Sequence, residues 1–165
     1  MNAATLFVRQ ASALDSAVVV EILQEAALWL EQRGQTLWRN DELQPDRIAA
    51  EVGQGLYYLA AAPDTVVGII RFQLQDPDFW PEMPAGESAY VHRLAVRRSV
   101  AGGQVSLALL QWAVDHTRAL GLRYLRLDTE ASRLRLRAIY EKFGFRHHSD
   151  RQCGPYYVAR YQYLV

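Results

Sequence analysis

Two adjacent glycines, Gly102 and Gly103, separate an apolar run ending at Val96 from a helix-like run beginning at Gln104, with Arg97 and Arg98 just upstream. Bare backbone at the mouth of a helix suits an anion. The first four N–H groups of a helix have no partner inside it, and the helix dipole adds about half a positive charge. A phosphate is the natural guest there. Glycine lets it approach and reaches positive φ at little cost, as a turn wrapped round a phosphate requires. The same pair also serves as a plain strand-to-helix turn, and it fits neither the Gly-x-Gly-x-x-Gly nor the P-loop pattern. Its place along the chain favours phosphate, because open α/β sheets bind ligands beyond the carboxyl ends of their strands.

The elements that must hold this turn follow from periodicity. "LFVRQA" at 6–11 predicts a strand. A helix follows, with Asp15 or Ser16 as N-cap, Val18, Ile22, Ala26, Trp29 and Leu30 at helical spacing, and Gly34 as terminator. Pro45 and Asp46 open a shorter helix, and "LYYLAAAPDTVVGIIRFQLQ" predicts a hairpin joined at 63–65. "DPDFWPEMPAGES" predicts a loop rich in proline, acid and exposed aromatics, after which "AYVHRLAV" resumes as a strand. Val105, Ala108, Leu109, Trp112 and Ala113 mark a helix that Gly121 ends. A short buried strand "RYLRLDT", a helix ended by Gly144 and a tyrosine-rich closing strand complete the order β, α, α, β, β, β, α, β, α, β. Strand–helix alternation in the second half implies an α/β sheet in which the strands ending near Val96 and beginning near Tyr124 run parallel.

At 165 residues the chain is expected to form one domain, 1–165, and its 50% hydrophobic content and eighteen aromatics argue against disorder. The start "MNAATLFVRQ" has no secretory pattern and no stretch approaches a membrane span, so a soluble cytoplasmic protein is expected. Cys153 is the single cysteine, which excludes an intrachain disulfide and suits a reducing compartment. Net charge is zero, yet residues 1–90 hold five basic and thirteen acidic side chains, a balance of −8, and residues 91–165 hold the reverse, +8. The split suits two partners of opposite sign, or two halves that each solvate their own surface.

"YVHRLAVRRSVAGGQVSLALLQWA" followed by "LRLDTEASRLRLRAIYEKFGFRH" resembles the acetyl-CoA-binding core of the Gcn5-related N-acetyltransferases, the GNAT family, over about residues 56–148. "ALWLEQRGQTLW" is similar to the first helix and loop of its small-molecule members. The resemblance implies a GNAT fold: an α/β domain with a mixed, centrally split sheet of about six to seven strands flanked by about four helices. It implies acetyl-CoA as co-substrate, with the backbone of Leu94 and Val96 pairing with the pantetheine arm. The turn Ala101, Gly102, Gly103, Gln104, Val105 and Ser106 would cradle the pyrophosphate. Tyr140 falls on the tyrosine that protonates the departing thiolate, and Arg133 stands where the family has an asparagine. The turn departs from the family pattern, since Ala101 replaces Arg or Gln, Gln104 replaces glycine, and Ser106 replaces a smaller residue.

Acyl transfer to an amine needs the nitrogen lone pair, and an alkylammonium with a pKa of about 10 is protonated at pH 7. His92 is the candidate proton acceptor, because strand alternation would place it on the side of Tyr90, Leu94 and Val96; it also fits as a packing histidine. Tyr140, a phenol that keeps its proton at pH 7, is the candidate acid, though it also fits as a core tyrosine of an amphipathic helix, and the Leu94 N–H is the oxyanion donor by resemblance. Glu87, with Asp78 and Glu82 in its loop, would favour a cationic acceptor, though these acids also read as a solvated loop; Trp38, with Trp29 and Trp80, could wall the acceptor pocket or serve only in helix or loop packing.

The expected reaction is direct acetyl transfer from acetyl-CoA to the primary amine of a small molecule. The alternatives are a catalytically weakened CoA-binding or regulatory module and a peptide or protein N-acetyltransferase. No metal is expected, since His92, His116, His147 and His148 show no metal-ligand spacing with the carboxylates. No nucleic-acid or membrane partner is expected, and the resemblance leaves a homodimer open.

Overall fold

The computed structural model of the protein describes residues 6–165. Along the chain run β1 (Phe7–Gln10), α1 (Ser16–Glu31), α2 (Pro45–Gly53), β2 (Tyr57–Ala62), β3 (Thr65–Gln73), β4 (Ser88–Val96), α3 (Gln104–Ala119), β5 (Tyr124–Glu130), α4 (Leu134–Phe143), β6 (Arg146–Cys153) and β7 (Tyr156–Leu164). The strands form one mixed sheet in the order β1-β2-β3-β4-β5-β7-β6, the expected α/β architecture. Residues group into two compact units, the first up to Arg71 with Arg93–Leu110, the second Phe72–His92 with Gln111–Val165.

In the first unit Asp15 sets the start of α1. Its carboxylate accepts from the Ser12 N–H at 2.8 Å and takes both terminal nitrogens of Arg9 at 2.8 and 2.9 Å, and this pairing holds the Asp15 carboxyl well below the usual carboxylate range. The buried stripe of α1 is Val19, Ile22, Leu23 and Ala26; Ile22 and Ala26 are the expected residues, and Val18, Trp29 and Leu30 are half-buried beside them. These residues close on Ile48 and Val52 of α2 and on Tyr57, Leu59, Ile69 and Ala95 of the strands. Each large aliphatic side chain sealed there contributes about 1.5–3 kcal/mol. Gly68 in β3 leaves room for α3: a Cβ there would lie 3.0 Å from Val105 Cγ1 and 3.2 Å from the Ala95 carbonyl.

In the second unit β5 pairs in parallel with β4 from Ser88↔Tyr124 to Tyr90↔Arg126 and antiparallel with β7 over seven residue pairs from Tyr124↔Leu164 to Glu130↔Val158. The parallel pairing stops after those three pairs, although β4 runs on to Val96 and β5 to Glu130. β6, "RHHSDRQC", is the strand that periodicity does not show. Seven of its eight residues are exposed or half-buried, so no apolar alternation marks it; it exists because β7 offers an edge to pair with.

The loop at 74–87 corrects the expectation of exposed aromatics. Trp80 is 2% exposed, its ring lying under the guanidinium groups of Arg160 at 4.4 Å and Arg126 at 5.3 Å. Arg160 also donates to the Phe79 carbonyl at 3.0 Å and reaches Glu82 at 2.6 Å. A loop without regular structure is thereby fastened to β7 by one buried arginine.

Candidate active site

The phosphate-type turn belongs to the first unit. α3 starts at Gln104, and its first backbone bond runs from the Leu107 N–H to the Gly103 carbonyl at 2.9 Å. The N–H groups ahead of Leu107 therefore have no acceptor inside the helix. Gly103 has φ 96°, open to glycine alone. Cβ atoms placed on Gly102 or Gly103 meet nothing within 4 Å among the described residues, so conformation and open space, not packing, account for the pair. Ala101 and Gln104 are exposed and Ser106 is half-buried, whereas Val105 turns into the core against Gly68.

Arg97 and Arg98 are committed elsewhere. Arg97 Nη1 reaches Glu21 at 2.6 Å and Glu25 at 3.2 Å, and the Arg98 N–H donates to Glu25 at 2.8 Å. The Arg97 charge is thereby answered by α1, which weakens the attraction expected of it, whereas the Arg98 guanidinium donates to the Val96 carbonyl at 2.8 Å and lies 4.8 Å from the Trp29 ring.

On β4 the alternation expected to align His92 with Leu94 and Val96 breaks at Arg93, whose φ is 50°. A side-chain-bearing residue in the left-handed region interrupts the period of two. The side chain of Arg93, 5% exposed, donates from Nη1 to Glu51 at 2.8 Å and to the Tyr57 hydroxyl at 2.7 Å, and Tyr57 donates to Glu51 at 2.9 Å. Burial pushes the Tyr57 phenol up to about 12, so it donates and does not ionise. Val96 is buried and Leu94 half-buried.

The second unit gathers what no spacing announced. His92 Nε2 lies 2.6 Å from Asp76 Oδ2, and His92 Nδ1 lies 3.7 Å from Asp128 Oδ2. Asp76 Oδ1 accepts from the Phe79 N–H at 3.2 Å, and the Phe79 ring sits 5.4 Å from that of His92. A carboxylate accepts and cannot donate, so the contact with Asp76 requires a proton on Nε2, while Nδ1 faces Asp128. Burial, with the nearby Asp76 charge, pushes the Asp128 carboxyl up to about 6, against the opposing pull of His92 and Arg160. Ligand atoms of Asp76, His92 and Asp128 fall within 4.8 Å of one another, a grouping unforeseen when no metal was expected. The carboxylates, however, address opposite ring nitrogens, which suits a proton relay better than one ion.

Tyr140 is buried in α4, and burial together with the Asp128 charge raises its phenol pKa, so it keeps its proton at neutral pH and is a weaker acid than a free phenol. Cys153 is buried as well, its thiol raised by burial and then by Asp128. Arg133 caps α4 with Nε 3.5 Å from Glu130. Glu87 is not a spare anion, since it faces Arg126 at 3.6 Å. Trp38 packs partly buried against the first unit's core and is not among the residues lining a cavity of about 300 Å³ between α1 and the 40–44 segment, which include Gln24, Leu28, Glu31 and Asn40.

Sequence reasoning missed Asp76 and Asp128. Asp76 was hidden in a loop whose acids read as solvated. Asp128 carried a signal, an acid in a strand read as buried, where a charge needs a reason.

The profile of the acetyltransferase (GNAT) family matches residues 19–145. The chain is 27% identical over 138 residues to the uncharacterized N-acetyltransferase YesJ of Bacillus subtilis, covering 79% of this chain and 76% of that one. A GNAT-family acetyltransferase from Listeria monocytogenes superposes with a TM-score of 0.82 at 21% identity, covering 97% of this chain and 95% of that one. The PaiA N-acetyltransferase of Thermoplasma acidophilum, solved in complex with coenzyme A, gives a TM-score of 0.73 at 16% identity over 96% and 99% of the two chains. Among the described residues no helix is long and apolar enough to cross a membrane. With the family profile spanning most of its length, the chain belongs to the acetyltransferase (GNAT) family and is an acyl-CoA-dependent N-acetyltransferase.

Proposed function

We propose that the protein transfers acetyl from acetyl-CoA to the primary amine of a small molecule by direct attack, with His92 as base and Tyr140 as acid. The observation that carries this reading is the Asp76–His92 contact of 2.6 Å, which requires a proton on Nε2 and, in this reading, leaves Nδ1 to accept another. The coenzyme A held by the Thermoplasma relative and the open, glycine-lined start of α3 support the diphosphate-binding role of residues 101–106. The backbone of Leu94 and Val96 is assigned to the pantetheine arm. Arg133 is a further CoA contact in this reading, while Trp38 and Glu87 remain candidates for the acceptor side.

The step balances as follows. One N–H proton of the ammonium passes to His92 Nδ1, and the freed lone pair forms the C–N bond at the thioester carbonyl. The C–S bond then breaks, and the departing thiolate takes the Tyr140 proton. A second proton leaves nitrogen as the amide forms and restores Tyr140 through solvent. One proton is released per turnover, from His92. Cys153, raised by burial, is a poor nucleophile at neutral pH and has no part in the step.

The test is thiol release from acetyl-CoA over a panel of alkylamines, arylamines and peptides. A primary alkylamine is expected to be the best acceptor. Tyr140→Phe is expected to lower kcat by about 100-fold or more. His92→Gln should do likewise at pH 7, and its deficit should shrink toward pH 10, where the amine deprotonates unaided. Undiminished release by Tyr140→Phe would remove the acid. Coenzyme A binding with no acceptor in the panel would favour a binding module, and a preference for peptides would move the acceptor class.

A further inference from the structure

Glu51, on α2, faces three guanidinium groups with a single carboxylate. Its Oε2 accepts from Arg93 Nη1 at 2.8 Å and from the Tyr57 hydroxyl at 2.9 Å, and is thereby satisfied. Its Oε1 lies 3.5 Å from Arg47 Nε and 3.5 Å from Arg71 Nη1, beyond a good hydrogen bond to either. Glu42 adds only a distant negative charge, felt by Arg93. Three cations thus share two carboxylates in a cluster whose centre, Arg93 and Glu51, is buried. A partly desolvated cation left over in this way is costly unless an anion answers it.

Arg71 is the group left short. It stands on β3 two residues beyond Ile69, which belongs to the core under α1 and α2, so strand alternation turns it to the same face. Its side chain is 21% exposed. Nε is sealed without a partner, whereas the terminal nitrogens are not sealed and make no hydrogen bond among the described residues. An open guanidinium edge of this kind matches a carboxylate through two parallel N–H bonds. Arg47, exposed in the first turn of α2, approaches the same Glu51 oxygen and stands ready as a second donor.

We propose that Arg71, with Arg47 beside it, binds the carboxylate of the acceptor, which is therefore an amino acid or another primary amine carrying a carboxylate; this rests on the reading of the protein as an amine acetyltransferase with His92 as base. Arg93, which ties the cluster to β4, is the residue next to His92 in the chain, so the anion site begins one residue along the strand from that base. Arg93 and Tyr57 hold Glu51 by its other oxygen and keep the cluster in place before the acceptor arrives. A charge remote from the reacting nitrogen is held equally in the ground state and the transition state, so Arg71 acts on KM.

The experiment uses the whole ¹⁵N-labelled protein saturated with coenzyme A. Sodium butyrate is titrated in at pH 7 and constant ionic strength, with butyramide as the uncharged control. The Arg71 Nε–H signal, assigned with Arg71→Gln, is expected to shift saturably with butyrate and to stay in place with butyramide. Backbone amide signals of α2 report the affinity in every variant: Arg71→Gln should weaken butyrate binding at least about tenfold, with its fold checked by near-UV circular dichroism, and Arg71→Lys should recover part of the loss. In thiol-release assays Arg71→Gln should raise KM for amino acids at least about tenfold relative to their decarboxylated counterparts. Equal shifts with butyramide, no saturable shift in the wild type, unchanged affinity in Arg71→Gln, or equal KM changes for both acceptor sets would each overturn the site. Butyrate binding that depends on Arg71 without any thiol release would keep the anion site and remove the catalytic reading; turnover of simple amines without such binding would do the reverse.

Discussion

A carboxylate sealed in a strand weakens the fold that seals it, and Asp128 makes that cost measurable. Its carboxyl, ordinarily near 3.8, is raised to about 6 by burial, a difference that costs about 3 kcal/mol at neutral pH. Below about pH 4 the folded and unfolded chains both carry the proton and the cost is absent. It grows as pH rises, because the native state keeps a proton that the unfolded state has lost, and it is complete above about pH 6. Asp128→Asn is therefore expected to melt several degrees above the wild type at pH 7.5, with the difference shrinking toward pH 4 in calorimetric scans. A gain in stability from removing a residue is the usual mark of one kept for function. Arg93 is the opposite case: its backbone sits at φ 50°, and its buried guanidinium fastens that strained residue to Glu51 and Tyr57.

The elements show how far patterning reaches. Helical spacing located α1, α3 and α4, the hairpin was given away by Pro63–Asp64, and the turn was marked by its two glycines. Those signals are local. On the face read for α1, Ile22 and Ala26 are sealed as expected, while Val19 takes the fully buried place beside a partly buried Val18, because both are apolar and only the packed partner chooses between them. β6 was missed because a polar edge strand owes its existence to its neighbour. The alternation through His92 failed at the irregularity at Arg93, and the partners of His92 come from a loop and from β5, 16 and 36 residues away, which no short motif could join. The turn makes its own prediction. Gly103→Ala forces a Cβ onto φ 96°, a strain of about 1–2 kcal/mol, so coenzyme A binding is expected to weaken by about tenfold in calorimetry while the melting temperature falls only a few degrees.

Across the whole molecule the opposed charges of the two halves of the sequence are matched internally. Glu51 meets Arg93 and Glu21 and Glu25 meet Arg97 in the first unit; Glu82 meets Arg160 and Glu87 meets Arg126 in the second. What looked like a polarity offered to partners is in good part a wiring scheme between distant stretches of chain. One of those wires has a kinetic consequence. The segment that presents Asp76 to the histidine has neither helix nor strand to stiffen it, and depends on Arg160 and the indole beneath it. Warming should loosen that fastening before the sheet gives way, so turnover should fade at temperatures where circular dichroism still reports intact secondary structure, and Arg160→Lys should widen the gap between the two curves. Such an enzyme would fall silent on heating while still folded, and recover on cooling.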